Sequence, residues 1–207
     1  MPISELILRN HRLPLPVWYA ISNRRMVPDI PPEDLLRMLF HSRAAIVQWR
    51  EKDLSEAENR RYVRLGVELA AQTGKLFLVN SAVNLAAEEG AGGVHLTSNQ
   101  DVCEGIRARR RIKNPGWVVG RSVHSLQEAL ESEKAGADYL LAGPVFRPIS
   151  KKSYLPPLGL EKLADICRKL SVPVFALGGI SRDNYPGVIA AGAAGIAGIS
   201  WTVNRIH

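Results

Sequence analysis

The stretch GRSVHSLQEALESEKAGADYLLAGPVF, residues 120–146, decides the fold. Its pattern predicts a strand, a helix and a second strand, and Ser125 followed by Glu128 has the spacing of a capping box. Two strands that are joined by a helix form the basic unit of a parallel sheet. His124 lies where the first strand is predicted to end, and functional groups of such sheets collect at the carboxyl ends of strands.

The same alternation of strand and helix extends over most of the 207 residues. Predicted strands cover 18–22, 44–52, 76–80, 92–96, 117–124, 138–146, 173–179 and 194–200. Eight such units favour a compact (β/α)8 TIM barrel over an open sheet. We therefore expect a single domain over 1–207 with the barrel at about 17–200, an N-terminal extension, and a last helix that is short or missing.

Two local patterns support this topology. Ser55 and Glu58 have capping-box spacing and predict a long helix that reaches about Thr73 and stops at Gly74. The alternative of a doubly wound sheet lacks the GxGxxG turn after the first strand.

Composition is typical of an ordinary globular protein, with 46% hydrophobic and 23% charged residues and a net charge of +7. Much of the excess charge lies in RARRRIK, residues 107–113, and two interpretations are open: a nucleic-acid surface or the solvated face of a helix. No aromatic residues alternate with these arginines, which favours the helix face. The chain has no long apolar run and no cationic leader, so we expect a cytoplasmic protein that contacts neither membrane nor nucleic acid.

The segment QWREK predicts an anion site. Gln48, Arg50 and Lys52 alternate at the end of a predicted strand, so they are expected to share one face at the barrel mouth. A guanidinium fork and an ammonium suit a phosphate or carboxylate. The alternative is a salt-bridge cluster with Glu51 and Asp53.

The last two predicted strands end in a second candidate anion site. Gly178 and Gly179 end the seventh strand, and Ile199 and Ser200 end the eighth. Backbone N–H groups at this place bind phosphate in many barrels, and glycine permits the close approach. The alternative is a pair of ordinary glycine turns.

The long polar loop at 146–159 follows the sixth predicted strand, and such loops are often lids. Ser150 and Lys151 are expected to reach a phosphate from it, although two lysines on a loop, Lys151 and Lys152, are equally consistent with simple solvation. His124 is either a general acid/base or part of the next helix's cap. His95 lies mid-strand and is interpreted as structural.

Taken in order, these motifs resemble those of the thiamine phosphate synthase superfamily, which includes the transferase and the TenI-type thiazole tautomerase. The matching motifs are QxRxK at 48–52, Asn80, GVHL at 93–96, GxSxH at 120–124, GPVF and KK within 143–152, PVxALGGI at 173–180, and AGIAGIS at 194–200. The resemblance covers about 17–200 and implies a barrel that acts on a thiazole phosphate.

For the transferase group, the resemblance implies that Gln48, Arg50, Lys52 and Asn80 hold a pyrimidine pyrophosphate and that two aspartates bind Mg²⁺. This sequence has Ser81 at the first aspartate position and Gln100 at the second, with Asp101 one step out of register. Because Mg²⁺ prefers carboxylate and phosphate oxygens, we expect no metal and no cofactor here, with Mg²⁺ only under the transferase alternative.

The sequence of residues 120–139 resembles the tautomerase group more closely. For that group, the resemblance implies that His124 shuttles the proton. We therefore predict a thiazole tautomerase, an isomerase that aromatises a dihydrothiazole phosphate carboxylate. Ser122, Ser150 and Lys151 are expected as further substrate contacts. Two alternatives are a Mg²⁺-dependent thiamine phosphate synthase and a non-catalytic regulator that binds thiazole or thiamine phosphate. A homodimer is expected, because the short C-terminus leaves part of the barrel for a partner to cover.

Overall fold

A closed barrel of eight parallel strands forms the centre of the computed structural model, which describes residues 16–147 and 156–199. Each strand pairs with the next along the chain, and β8 pairs with β1. The strands are β1 Val17–Ile21, β2 Ile46–Trp49, β3 Leu76–Asn80, β4 Gly93–Leu96, β5 Val118–Val123, β6 Tyr139–Ala142, β7 Val174–Leu177 and β8 Gly195–Gly198. The predicted (β/α)8 barrel is confirmed.

Helices follow the strands in the predicted order. They are α1 Pro32–His41, α2 Glu56–Thr73, α3 Val83–Glu88, α4 Val102–Arg111, α5 Leu126–Lys134, α6 Gly159–Lys169 and α7 Tyr185–Ala190, and a short 3-10 helix spans Arg24–Met26. The N-terminal extension, the loop residues 148–155 and the short C-terminal segment lie outside the described residues. The boundaries of the single domain therefore stay a prediction.

The two predicted helix caps differ. At α2 the Ser55 side chain accepts from the Glu58 amide, and the Glu58 carboxylate accepts from the Ser55 amide, so the capping box is complete. At α5 Ser125 accepts from the Glu128 amide, but the Glu128 carboxylate accepts from the amide of His124 at 2.7 Å. The prediction of a second complete capping box is therefore wrong. The Glu128 carboxylate bonds to the end of the preceding strand at His124 and not to the Ser125 amide.

Side chains alternate between the two faces of the barrel strands. Those on the outward face are apolar and pack against the helices: Ala20, Val47, Phe77, Val79, Val94, Val119, Leu140, Ala176 and Ile196. The inward face contains an apolar cluster with two tyrosines: Val17, Tyr19, Ile21, Ile46, Leu78, Val118, Tyr139, Leu141, Phe175 and Ala197. Burial on both faces explains why these strands are almost continuously apolar in sequence.

Most observed strands are shorter than the predicted ones, whereas β3 has the predicted bounds. At the carboxyl ends of the strands, the excess residues continue into the loops at the barrel mouth, where functional groups of such barrels collect. No helix within 16–147 and 156–199 is long and apolar enough to cross a membrane.

Candidate active site

Two amide side chains form the floor of the mouth between β2 and β3. Gln48 is 1% exposed, and its Nε2 donates to Asn80 Oδ1 over 2.9 Å. The Nδ2 of Asn80 donates in turn to Ser81 Oγ over 2.7 Å. The structure thus brings together two of the residues that sequence reasoning placed at one site.

Arg50 follows β2 and is half-buried, and its charge acts on the inward-facing His95. Its backbone amide donates to Ser22 Oγ over 2.7 Å, but its guanidinium makes no hydrogen bond with any part of the chain that the structure describes. Burial lowers the pKa of Arg50, and the neighbouring Glu51 carboxylate opposes that shift. A desolvated cation without a hydrogen-bonded partner is suited to bind an anion from solution.

The alternative of a local salt-bridge cluster does not account for Arg50. The Glu51 carboxylate accepts from the backbone amide of Arg24 at 3.1 and 3.2 Å. Asp53 forms ion pairs with Arg24 at 2.7 Å and Arg25 at 3.2 Å. The carboxylates of Glu51 and Asp53 therefore bond to residues of the short 3-10 helix after β1.

Arg50 and Lys52 both lie beyond the end of β2, so the prediction that they share one strand face with Gln48 is wrong. The strand pairing stops at Trp49, and the chain bends from Lys52 onward. The residue is nevertheless at the same mouth, since it lines a cleft of about 740 Å³ together with Asn80 and Ser81.

The two positions that the resemblance assigns to metal-binding aspartates contact each other directly. Gln100 Nε2 donates to the Ser81 carbonyl over 3.0 Å, and Gln100 Oε1 accepts from the Thr97 amide. Asp101 is exposed and accepts from the Cys103 amide as the cap of α4. Ser81 and Gln100 are neutral, Asp101 caps α4, and the described residues contain no cluster of three His, Cys, Asp or Glu near enough to bind a metal. They do not fit a Mg²⁺ site.

His95 takes a larger part in the site than its mid-strand position indicates. It is 2% exposed, and its ring bonds to Tyr139 OH through Nδ1 and to Ser122 Oγ through Nε2, both over 2.9 Å. Burial, assisted by the charge of Arg50, lowers the pKa of His95 to about 3. Sequence reasoning missed this role, although the alternation of Gly93 and His95 on β4 places His95 on the inward face.

His124 lies apart from this group. Its Nδ1 donates to the carbonyl of Gly143 after β6, and it lines a separate cleft of about 410 Å³ with Pro156 and Glu161. The structure therefore ties His124 to the β5–β6 side of the mouth, whereas Lys52 and Asn80 line the other cleft.

Both glycines after β7 have left-handed backbone conformations, with φ of 97° at Gly178 and 64° at Gly179. A Cβ at Gly178 would lie 2.7 Å from the Pro144 Cβ, and one at Gly179 would lie 2.8 Å from the Arg147 carbonyl oxygen. The turn therefore requires glycine for backbone conformation and for close packing. Ile199 follows β8, while Ser150, Lys151 and Ser200 lie outside the described residues. The role of this turn as a phosphate site stays a prediction.

The basic segment 107–113 belongs mostly to α4. Arg109 pairs with Asp138 at 2.9 Å, and Arg111 donates to Asn84 over 3.0 Å. These contacts favour its interpretation as a solvated helix face with structural partners.

Comparison with known proteins assigns the family. Residues 18–201 match the family model described as thiamine monophosphate synthase. The chain belongs to the thiamine monophosphate synthase family. It is 38% identical over 172 residues to a thiamine-phosphate synthase of Chlorobium phaeovibrioides, which covers 83% of this chain and 81% of the relative. A thiamine-phosphate synthase of Methanocella arvoryzae is 32% identical over 190 residues, covering 90% and 87%.

A solved structure agrees with these relatives. The thiamine phosphate pyrophosphorylase from Pyrococcus furiosus superposes with a TM-score of 0.77 at 34% identity, covering 89% of this chain and 85% of that one. The predicted superfamily is confirmed.

The prediction of a tautomerase, and with it of an isomerase, is wrong. Relatives that are 32% and 38% identical over most of the chain are named thiamine-phosphate synthases, so they favour the transferase alternative. The error came from treating the loss of two carboxylates at Ser81 and Gln100 as the loss of pyrophosphate chemistry. The half-buried Arg50 and the Gln48–Asn80 floor are present regardless of a metal.

Proposed function

We propose that this protein is a thiamine-phosphate synthase, which transfers a pyrimidine from its pyrophosphate ester to a thiazole phosphate. The observation that carries the proposal is the half-buried Arg50 guanidinium, which makes no hydrogen bond within the described residues and follows Gln48 of the Gln48–Asn80 floor by two residues. The family and the names of the relatives support the same chemistry.

In this reaction a bond forms between the thiazole and the pyrimidine's methylene carbon, while the carbon–oxygen bond to pyrophosphate breaks and the electron pair leaves with the oxygen. Negative charge therefore grows on the departing pyrophosphate. Arg50 and Lys52 stabilise that charge, and Arg50 does so strongly because it is already desolvated. Gln48, Asn80 and Ser122 hold the pyrimidine.

The thiazole phosphate is assigned to the opposite side of the mouth. There the backbone of Gly178, Gly179 and Ile199 is assigned to its phosphate. Ser150, Lys151 and Ser200, which are outside the described residues, stay predicted contacts of the same substrate. His124 holds the end of β5 against the Gly143 carbonyl that follows β6. The neutral Ser81–Gln100 pair offers no carboxylate to Mg²⁺, so the assigned charge stabilisation belongs to the two cations.

The test is incubation of the purified protein with both substrates, with and without added Mg²⁺. Thiamine phosphate and pyrophosphate should appear in equal amounts, and Arg50→Met should abolish most of the product. Arg110→Met, which removes an exposed arginine of α4, is the matched control and should leave the rate unchanged.

Tight binding of thiazole or thiamine phosphate without any product would instead favour the non-catalytic regulator, which the neutral Ser81–Gln100 pair also suits. A homodimer and a cytoplasmic location stay predictions, to be checked by solution mass and by localisation.

A further inference from the structure

Six hydrogen bonds join seven side chains through the barrel interior, and strands β1 to β6 each contribute to this polar chain. Its links measure 2.7, 2.9, 2.7, 2.8, 2.9 and 2.9 Å. Its members, in order, are Ser81, Asn80, Gln48, Tyr19, Tyr139, His95 and Ser122. The two ends lie at the mouth of the barrel, and the middle is fully buried.

The buried members each have a fixed number of protons at neutral pH. Burial lowers the pKa of His95 to about 3, so its imidazole is neutral and has one N–H. Burial raises the pKa of the Tyr19 and Tyr139 hydroxyls, so each keeps its single proton. Because each hydroxyl can donate only once, the polar chain has only two self-consistent directions.

The orientation of the Gln48 amide selects one of these directions. Its Nε2 donates to Asn80, so its Oε1 is the atom that accepts from Tyr19 OH. Tyr19 has then used its proton and must accept from Tyr139 OH. Tyr139 in turn must accept from His95, which places the imidazole proton on Nδ1.

We propose that His95 is a positioning residue that turns the Ser122 hydroxyl inward. With its proton on Nδ1, the bare Nε2 of His95 accepts the Ser122 proton, so the Ser122 oxygen can meet a ligand only as an acceptor. Building on the proposed function, the substrate group that contacts Ser122 is therefore a hydrogen-bond donor, such as an amine, and not a carbonyl or phosphate oxygen.

The direction of the polar chain can be measured without any activity. In protein labelled with ¹⁵N-histidine, long-range ¹H–¹⁵N correlations at neutral pH should show His95 protonated on Nδ1 and bare on Nε2. The His95→Asn spectrum assigns the signal. A proton on Nε2 would reverse every link and overturn the proposal, whether or not the protein is a synthase.

Two variants separate positioning from general support of the barrel. His95→Gln keeps an acceptor near the Nε2 position facing Ser122, whereas His95→Asn keeps only a group near Nδ1 facing Tyr139. We expect His95→Asn to raise KM for the pyrimidine pyrophosphate about tenfold, and His95→Gln to raise it less. Binding of inorganic pyrophosphate, which uses Arg50 and Lys52, should be unchanged in both.

Ser132→Ala is the matched control, because Ser132 is a fully buried hydroxyl outside the polar chain that donates to the Glu128 carbonyl. It should leave KM unchanged. Equal effects of the two His95 variants, or weaker pyrophosphate binding in both, would reduce His95 to a structural residue. Absence of turnover in the wild type would refute the proposed function, while the histidine spectrum would still decide the direction of the polar chain.

Discussion

The outward and inward faces of the same strands stabilise this barrel in different ways. Outward side chains such as Phe77 and Val119 bury apolar surface against helices, an interaction without direction. Inward side chains such as Tyr19 and His95 form bonds in which the position of each proton matters. Alternate residues of one strand can therefore serve stability and recognition separately, and substitutions on the two faces should produce different signatures.

The largest expected effect lies on the outward face. Phe77 is 1% exposed, and its ring occupies the space that a Cβ at Gly66 of α2 would need, at 2.2 Å. Phe77→Ala should lower the free energy of unfolding by about 3–5 kcal/mol in denaturant titration, with pyrophosphate affinity unchanged. Adding Gly66→Ala to this variant should recover stability, because the new methyl enters the vacated space; further loss would show that the helix does not pack as described.

Arg50→Met, at the mouth of the barrel, should change ligand affinity and leave stability nearly unchanged, the reverse of Phe77→Ala. Removal of a desolvated cation with no hydrogen-bonded partner among the described residues should lower pyrophosphate affinity about 100-fold. The free energy of unfolding should change little, because the buried Glu51 carboxylate beside it keeps its hydrogen bonds from the Arg24 amide. Calorimetric titration and thermal unfolding of the same variant measure both, and a loss of stability equal to the loss of affinity would contradict the separation of roles.

Tyr19→Phe breaks the polar chain at its centre. The Gln48 Oε1 atom loses its donor, and the Tyr139 proton loses its acceptor, in a fully buried place. We expect a loss of about 2 kcal/mol in unfolding free energy together with weaker substrate binding. Tyr62→Phe, at a half-buried ring of α2 that packs against Trp49, is the control, and equal losses in the two variants would remove the distinction between the faces.

The difference in unfolding free energy between wild type and His95→Asn, measured as a function of pH, isolates the contribution of His95. Unfolded histidine binds a proton near pH 6.5, whereas folded His95 does so only near 3. Stability from this residue is therefore complete above pH 6.5 and is lost as pH falls toward 3, with a slope of up to about 1.4 kcal/mol per pH unit.

Local signals predicted the fold because they depend on neighbouring residues. The bounds of β3 and the Ser55–Glu58 cap of α2 both follow from short-range patterns, and both are found. The predicted ends of the strands were less accurate. The alternation of residues in QWREK continues to Lys52, whereas the strand pairing of β2 stops at Trp49.

The interior of the site could not be predicted in the same way. His95 and Tyr139 are 44 residues apart and meet only when the barrel closes, so GVHL taken alone indicates an ordinary buried strand. The prediction of a tautomerase activity was wrong for a related reason. Two missing carboxylates are visible in a sequence, whereas the half-buried state of Arg50 is visible only in three dimensions.

Ser81 holds a left-handed backbone conformation, with φ of 64°, which Asp and Asn adopt several-fold more readily than other residues. The loop at the end of β3 thus has a shape better suited to a carboxylate side chain than to the one it carries. Its amide and carbonyl are held by His95 and Gln100, so the shape does not depend on the hydroxyl. An aspartate at position 81 would adopt this backbone conformation readily, and it would bring one of the two carboxylates that the resemblance implies to this mouth.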